Sequence, residues 1–169
     1  GEGDGTLSHE YSVHAHTAAC YCIDFDPTMR LFAVGSADSL VSLWSLDNLI
    51  CVRTLGRLGN PIRALGFSSD GSMLASGSEG KFIDVASTAS GKQICSIPTQ
   101  SSINAIAWHP DSPFFAFADE SVGGVHVATL EAAGDGGEQQ QQHHHHHQHQ
   151  AHQAHQAHQA HQAHQGQQG

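Results

Sequence analysis

LFAVGSAD (Leu31–Asp38), MLASGSEG (Met73–Gly80) and FFAFADE (Phe114–Glu120) are three versions of one motif. Each is an apolar run that closes on small or acidic residues. The residues that follow recur as well. Val41, Leu43 and Trp44 are matched by Ile83, Val85 and Ala86, and then by Val125, Val127 and Ala128, at steps of 42. Upstream, Phe25-Asp26-Pro27, Phe67-Ser68-Ser69 and Trp108-His109-Pro110 recur at steps of 42 and 41. The short runs of Val, Ile, Leu and Phe, broken by Gly, Ser, Asp and Pro, are the grammar of strands joined by tight turns. In the second unit strands are predicted near Ile62–Phe67, Met73–Gly77, Phe82–Ala86 and Gln93–Ile97, with turns at Asp70-Gly71 and Ser90-Gly91-Lys92.

A period of about 40 to 45 residues with several short strands per unit is that of a β-propeller blade. One such sheet is apolar on both faces and buries them only against neighbouring sheets. The expected fold is therefore all-β: about three four-stranded blades of an incomplete ring. The domain plan has three parts. Residues 1–9 are expected to be a disordered N-terminus, 10–130 a partial propeller, and 131–169 a disordered Gln/Ala/His tail. Glu10–Val13 reads as the outer strand of an earlier blade, and the third unit shows no fourth strand. Gly1 stands where a start methionine would, so truncation of a longer chain is the expectation. A second copy or an open arc against a partner would also cover the end sheets.

The chain carries a formal charge of −10, and its six cations, Arg30, Arg53, Arg57, Arg63, Lys81 and Lys92, form no run. Phosphate neutralisation needs a basic stripe, so direct duplex binding is not expected. No apolar run reaches the roughly 18 residues of a membrane span, and no secretory leader opens the chain. Cys20, Cys22, Cys51 and Cys95 lack the spacing of a zinc site. They read as small buried hydrophobes in a reducing compartment, with Cys20 and Cys22 on one strand face. No cofactor is expected.

The first unit has a further signature. GSADSLVSLWSL (residues 35–46), with His16 upstream, resembles the core of a WD repeat. In that family His, Ser, Asp and Trp form a buried hydrogen-bond network, and the resemblance places His16, Ser36, Asp38 and Trp44 in it. Ser36, His16 and Asp38 are also the residue types of a hydrolase triad. Val34-Gly35-Ser36-Ala37-Asp38 is no nucleophile elbow, because no helix follows and no oxyanion donors are in view. The network is therefore read as structural, and the chain as non-enzymatic. The later units depart from the pattern: Ala86 and Ala128 stand where Trp would, and Trp44 is followed by Ser45 rather than Asp.

Residues 10 to 130 also resemble the C-terminal half of the THO complex subunit 3 family of WD-repeat proteins. The likeness rests on Asp47-Asn-Leu-Ile-Cys-Val-Arg53, on Phe82-Ile-Asp-Val-Ala86, and on Ala107-Trp-His-Pro110 before Phe114–Ala118. It implies a nuclear, non-enzymatic scaffold in the transcription-export assembly, acting in mRNA processing and export. The implied partners are other THO subunits, with RNA reached only indirectly, and no membrane or small-molecule substrate. Arg57, Asn60 and Lys81 are candidate partner contacts on loops. Another nuclear adaptor, in a chromatin or ubiquitin-ligase complex, is the alternative. A metal-binding role for the tail is a third reading, since 11 of the 16 histidines lie after residue 142. Triplet expansion at a terminus accounts for that segment without any role.

Overall fold

The structure, a computed structural model, describes residues 11–121 and 124–130. The expected disordered ends, 1–9 and 131–169, lie outside the described residues. Eleven strands and no helix occur among those described. β1 (Cys20–Phe25), β2 (Leu31–Ser36), β3 (Val41–Ser45) and β4 (Cys51–Leu55) form one antiparallel sheet in that order. β5 (Ile62–Phe67), β6 (Met73–Ser78), β7 (Phe82–Ser87) and β8 (Gln93–Pro98) form the second. β9 (Ile103–Trp108), β10 (Phe114–Asp119) and β11 (Val125–Thr129) form the third. The second unit's strands start where the alternation predicts and end one residue later at most. Residues 11–13 lie outside any strand, so the strand expected at Glu10–Val13 is not formed over its described part.

The repeat is visible in the register. Phe25 pairs with Phe32, Phe67 with Leu74 and Trp108 with Phe115. Ala33 pairs with Leu43, Ala75 with Val85 and Ala116 with Val127. Two cores follow. Between the first two sheets lie Ala33, Val41 and Leu43 from one side and Leu65, Phe67 and Leu74 from the other. Between the second and third lie Ala75, Ile83 and Val85, facing Ile103, Phe115 and Phe117.

Two glycines make the approach close. A Cβ on Gly35 would sit 2.6 Å from Cγ2 of Ile62, and one on Gly77 would sit 2.5 Å from Cγ2 of Ile103. Each β-branched side chain occupies the space where the glycine lacks one. Gly71 and Gly91 serve the turns instead, with φ of +68° and +69°, a region costly for residues with a Cβ.

The cysteines differ from expectation. A bulge in β1 pairs Cys20 with Ser36 but Cys22 with Gly35, one residue short of regular alternation. The shift breaks the shared face: Cys22 packs against the first core, and Cys20 is exposed. Cys51 is exposed too, and all four thiols are free. Burial pushes the Cys22 thiol up to about 11.

Candidate functional site

The loop before β1 brings His16 over the β2–β3 turn. Nδ1 of His16 lies 3.0 Å from Oδ2 of Asp38, and Nε2 lies 2.7 Å from the hydroxyl of Ser42. The indole N–H of Trp44 donates to that same hydroxyl at 2.7 Å. The oxygen of Ser42 accepts from Trp44, so its proton points to Nε2, and Nδ1–H donates to Asp38. Asp38 also accepts from the amides of Leu40 and Thr17. Burial raises the Asp38 carboxyl, but hydrogen bonds from the Leu40 amide and from His16 outweigh it, so it titrates below the ordinary value.

His16, Asp38 and Trp44 are therefore joined, but through Ser42 rather than Ser36. Ser36 does accept from the Asp38 amide at 3.2 Å, and its hydroxyl faces the carbonyl of Ala18. Its hydroxyl also helps to hold the Asp38 carboxylate, so Ser36 joins the group through Asp38. The reason is distance along the face: Ser42 is two residues before Trp44 on β3, while Ser36 ends β2 beyond Phe32 and Val34, which pair with Trp44 and Ser42. Period-two alternation alone could have pointed to Ser42.

Asp38, His16 and Ser42 have the connectivity of a catalytic triad. However, Ser42 is 1% exposed and its oxygen is occupied by the indole, so no substrate reaches it. The arrangement satisfies buried polar groups and holds the loop to the sheet.

The second unit solves the same problem with charge. Asp84 stands 42 residues after Ser42. Arg57, in the loop before β5, donates from Nε and Nη2 to its carboxylate at 3.1 and 2.7 Å. Gln93 adds a donor at 2.6 Å. The Arg57 side chain is 33% exposed and that of Asp84 2%. Arg57 also donates to the Gly91 carbonyl, and Arg53 donates to those of Ala89 and Ser90, so both cations clip the first unit to the β7–β8 turn. Arg57 is thus a structural clamp: its guanidinium holds Asp84 and the Gly91 carbonyl, and a third of the side chain stays exposed. In the third unit His126 takes the equivalent position, with Nε2 3.6 Å from the Asp119 carboxylate. Hydrogen bonding from Ser121 keeps that carboxyl below its ordinary value.

The other two candidate contacts lie together. Asn60 is half-buried and its amide lies beside Gly80, the neighbour of exposed Lys81. Near that end of the strands the guanidinium of Arg63 sits 4.2 Å over the Tyr21 ring and pairs with Glu79 through Nε at 2.9 Å. This exposed Tyr–Arg–Glu group joins β1 to β5 and was not singled out by the sequence reading.

A cleft of about 200 Å³ lies between the β5–β6 and β9–β10 turns, lined by Ser68, Asp70, Met73, Asp111, Ser112 and Pro113. That is below the roughly 300–1,000 Å³ of small-ligand pockets. No group of His, Cys, Asp or Glu among the described residues could hold a metal ion. No helix there is long and apolar enough to cross a membrane. The chemistry on display is that of side chains spent on holding sheets together, with rims and faces left for contacts.

Comparison with known proteins agrees with that geometry. The family model "WD domain, G-beta repeat" matches residues 5–45, 49–84 and 91–122. The chain is 45% identical over 106 residues to THO complex subunit 3 of Arabidopsis thaliana, across 63% of this chain and 34% of the relative. It is 38% identical over 114 residues to WD repeat-containing protein AAC3 of Dictyostelium discoideum, across 68% of this chain and 24% of that one. The chain therefore spans about a third or less of the length of these relatives. A crystal structure of RRP9 WD40 repeats superimposes with a TM-score of 0.59 at 17% identity, covering 62% of this chain and 33% of that one.

Proposed function

The chain belongs to the WD domain, G-beta repeat family, and from that premise we propose that it is a non-enzymatic protein-interaction scaffold of the THO complex. In this reading it works in the nucleus, in mRNA processing and export coupled to transcription. Its partners are other THO subunits, and it meets RNA only through them. The observation that carries the reading is the 45% identity to THO complex subunit 3. The identity includes no catalytic requirement, and the buried polar residues are consumed by the fold. Docking on THO subunits is assigned to the rim that carries Asn60, Lys81 and the Tyr21–Arg63–Glu79 group, since these are exposed or half-buried side chains on short loops and strand ends.

The test is co-elution of the purified chain with recombinant THO subunits on a sizing column. A shared peak, lost when Lys81 and Arg63 are both changed to Glu, is expected. Separate peaks with every subunit would overturn the reading.

A further inference from the structure

The two seams between the sheets differ at one rim. Three turns follow one another there: β1–β2 (26–30), β5–β6 (68–72) and β9–β10 (109–113). They lie at the strand ends opposite to Gly80 and Lys81. At the first seam the Asp26 carboxylate, 0% exposed, reaches across to Gly71, and a Cβ on that glycine would collide with it. The amide and hydroxyl of Thr28 donate to Asp26 at 2.9 and 2.7 Å, and Arg30 lies 3.4 Å from it. One period on, Ser68 stands in place of Asp26, and Ser112 in place of Gly71. The Ser68 hydroxyl turns back to Asp70 at 2.6 Å instead of reaching across. What remains is the cleft of about 200 Å³, with Asp70 on one wall and Asp111 on the other.

We propose that this cleft is a docking site for a basic segment of another protein, with one Lys or Arg side chain entering between Asp70 and Asp111. None of the residues lining it is a cation. Among the described residues no Lys or Arg pairs with either carboxylate, and hydrogen bonds from Ser68 and Ser72 hold Asp70 charged. Residues 1–10 and 131–169 hold no Lys or Arg to supply the charge. Met73 and Pro113 offer apolar surface to the alkyl stem of the incoming side chain, and the carboxylates and serine hydroxyls accept from its charged end. The volume suits one long side chain and falls short of a cofactor.

A second contact stands beside the cleft on the same rim. The first two turns share one hydrogen-bonded frame: the Met29 amide donates to the Asp26 carbonyl, and the Gly71 amide to that of Ser68, both at 2.8 Å. Both residues have positive φ, +60° and +68°, which glycine adopts freely and methionine does not. Leu49 also takes a positive φ where the second unit has Gly91, but its side chain packs on Phe32, Val34 and Trp44. Met29 belongs to no core and is 68% exposed. It gives the incoming segment an apolar anchor. Sheets stack about 10 Å apart, so Met29 and the cleft are roughly 15 Å from each other, or about four to five extended residues. This inference goes beyond the scaffold reading. It concerns the other rim and does not depend on where THO subunits dock.

The experiment selects from a random dodecapeptide library on the immobilised full chain and measures the selected peptides in solution by fluorescence anisotropy. Peptides enriched in Lys or Arg, with an apolar residue about four or five positions away, are expected. Their affinity should fall about tenfold in Asp70→Asn with Asp111→Asn, and about threefold in Asp111→Asn alone. Asp47→Asn removes the same charge from the exposed β3–β4 turn and should change affinity by less than about twofold. Met29→Gly installs the residue of the equivalent turn, so the melting temperature should hold while peptide affinity falls. Lys81→Glu with Arg63→Glu should leave peptide binding unchanged, which separates this site from the rim assigned to THO subunits. Selected peptides without an excess of Lys or Arg would overturn the proposal. So would equal losses in Asp47→Asn and Asp111→Asn, or an affinity untouched by the double Asn variant.

Discussion

Arg57→Ala probes the charged clamp directly. The substitution leaves the Asp84 carboxylate with one neutral donor, the Gln93 amide at 2.6 Å. With only 2% of that side chain exposed, water cannot take over the three contacts that the guanidinium makes to it. Removing one partner of a buried ion pair costs about 3–5 kcal/mol. Arg57 is itself a third exposed, which screens the pair, and Gln93 remains, so about 2–3 kcal/mol is expected.

The repeat supplies the rescue. The equivalent of Asp84 one period earlier is Ser42, a neutral residue. In Arg57→Ala with Asp84→Ser no unpaired charge is buried, and the loss should fall to about 1 kcal/mol. Urea unfolding followed by Trp44 and Trp108 fluorescence would measure each step, with unchanged m-values as the check that only stability moved. If the two losses simply add, within about 0.5 kcal/mol, Asp84 is not held by Arg57 and the reasoning fails.

Other outcomes follow from the same geometry. Ser42→Ala should cost about 1–3 kcal/mol, because it strips a partner from both His16 and Trp44, while Ser36→Ala should cost less than about 1 kcal/mol; equal losses in thermal melts would contradict the assigned network. Asp38→Ala should also destabilise the first unit by about 1–3 kcal/mol, and an unchanged melting curve would mean that His16 is not anchored there. Gly77→Ala should cost about 1–2 kcal/mol net, as overpacking against Ile103 outweighs the entropy gained by removing a glycine. For Asp70, the hydroxyl of Ser68 and then the amide and hydroxyl of Ser72 hold the carboxyl at about 2. The folded value lies below the ordinary 3.8, so its stabilisation is present above that pH and is lost as pH falls toward about 2. The carboxylate is solvent-facing, so the effect is under about 1 kcal/mol, and the gap between the native chain and Asp70→Asn in acid titrations should close over that window.

Much of this architecture could be read before any coordinates. The steps of 42 and 41 residues made Phe25, Phe67 and Trp108 equivalent, and each pairs with the equivalent residue of the next strand, Phe32, Leu74 or Phe115. Side-chain partnerships were less visible. The resemblance drew attention to Ser36 because it stands in the Gly-Ser-x-Asp string, yet strand alternation gives Ser42 the face shared with Trp44. The bulge at Cys20 and Cys22 left no mark in composition, and it reversed the expected facing of one thiol. Arg57 read as a candidate partner contact on a loop; only its approach to Asp84, 27 residues away, shows that the fold also uses it. Long-range ion pairs of this kind have no local sequence signal. The position 42 residues after Ser42 could have suggested that Asp84 needs a partner, since a carboxylate between two stacked sheets is costly alone.

The account holds that this chain acts through protein contacts made by stacked sheets and their rims. The most direct measurement is capture of the tagged chain from nuclear extract, with and without ribonuclease, followed by quantitative mass spectrometry. THO subunits enriched equally in both arms are the expected result. Their absence, or their loss on ribonuclease treatment, would contradict it.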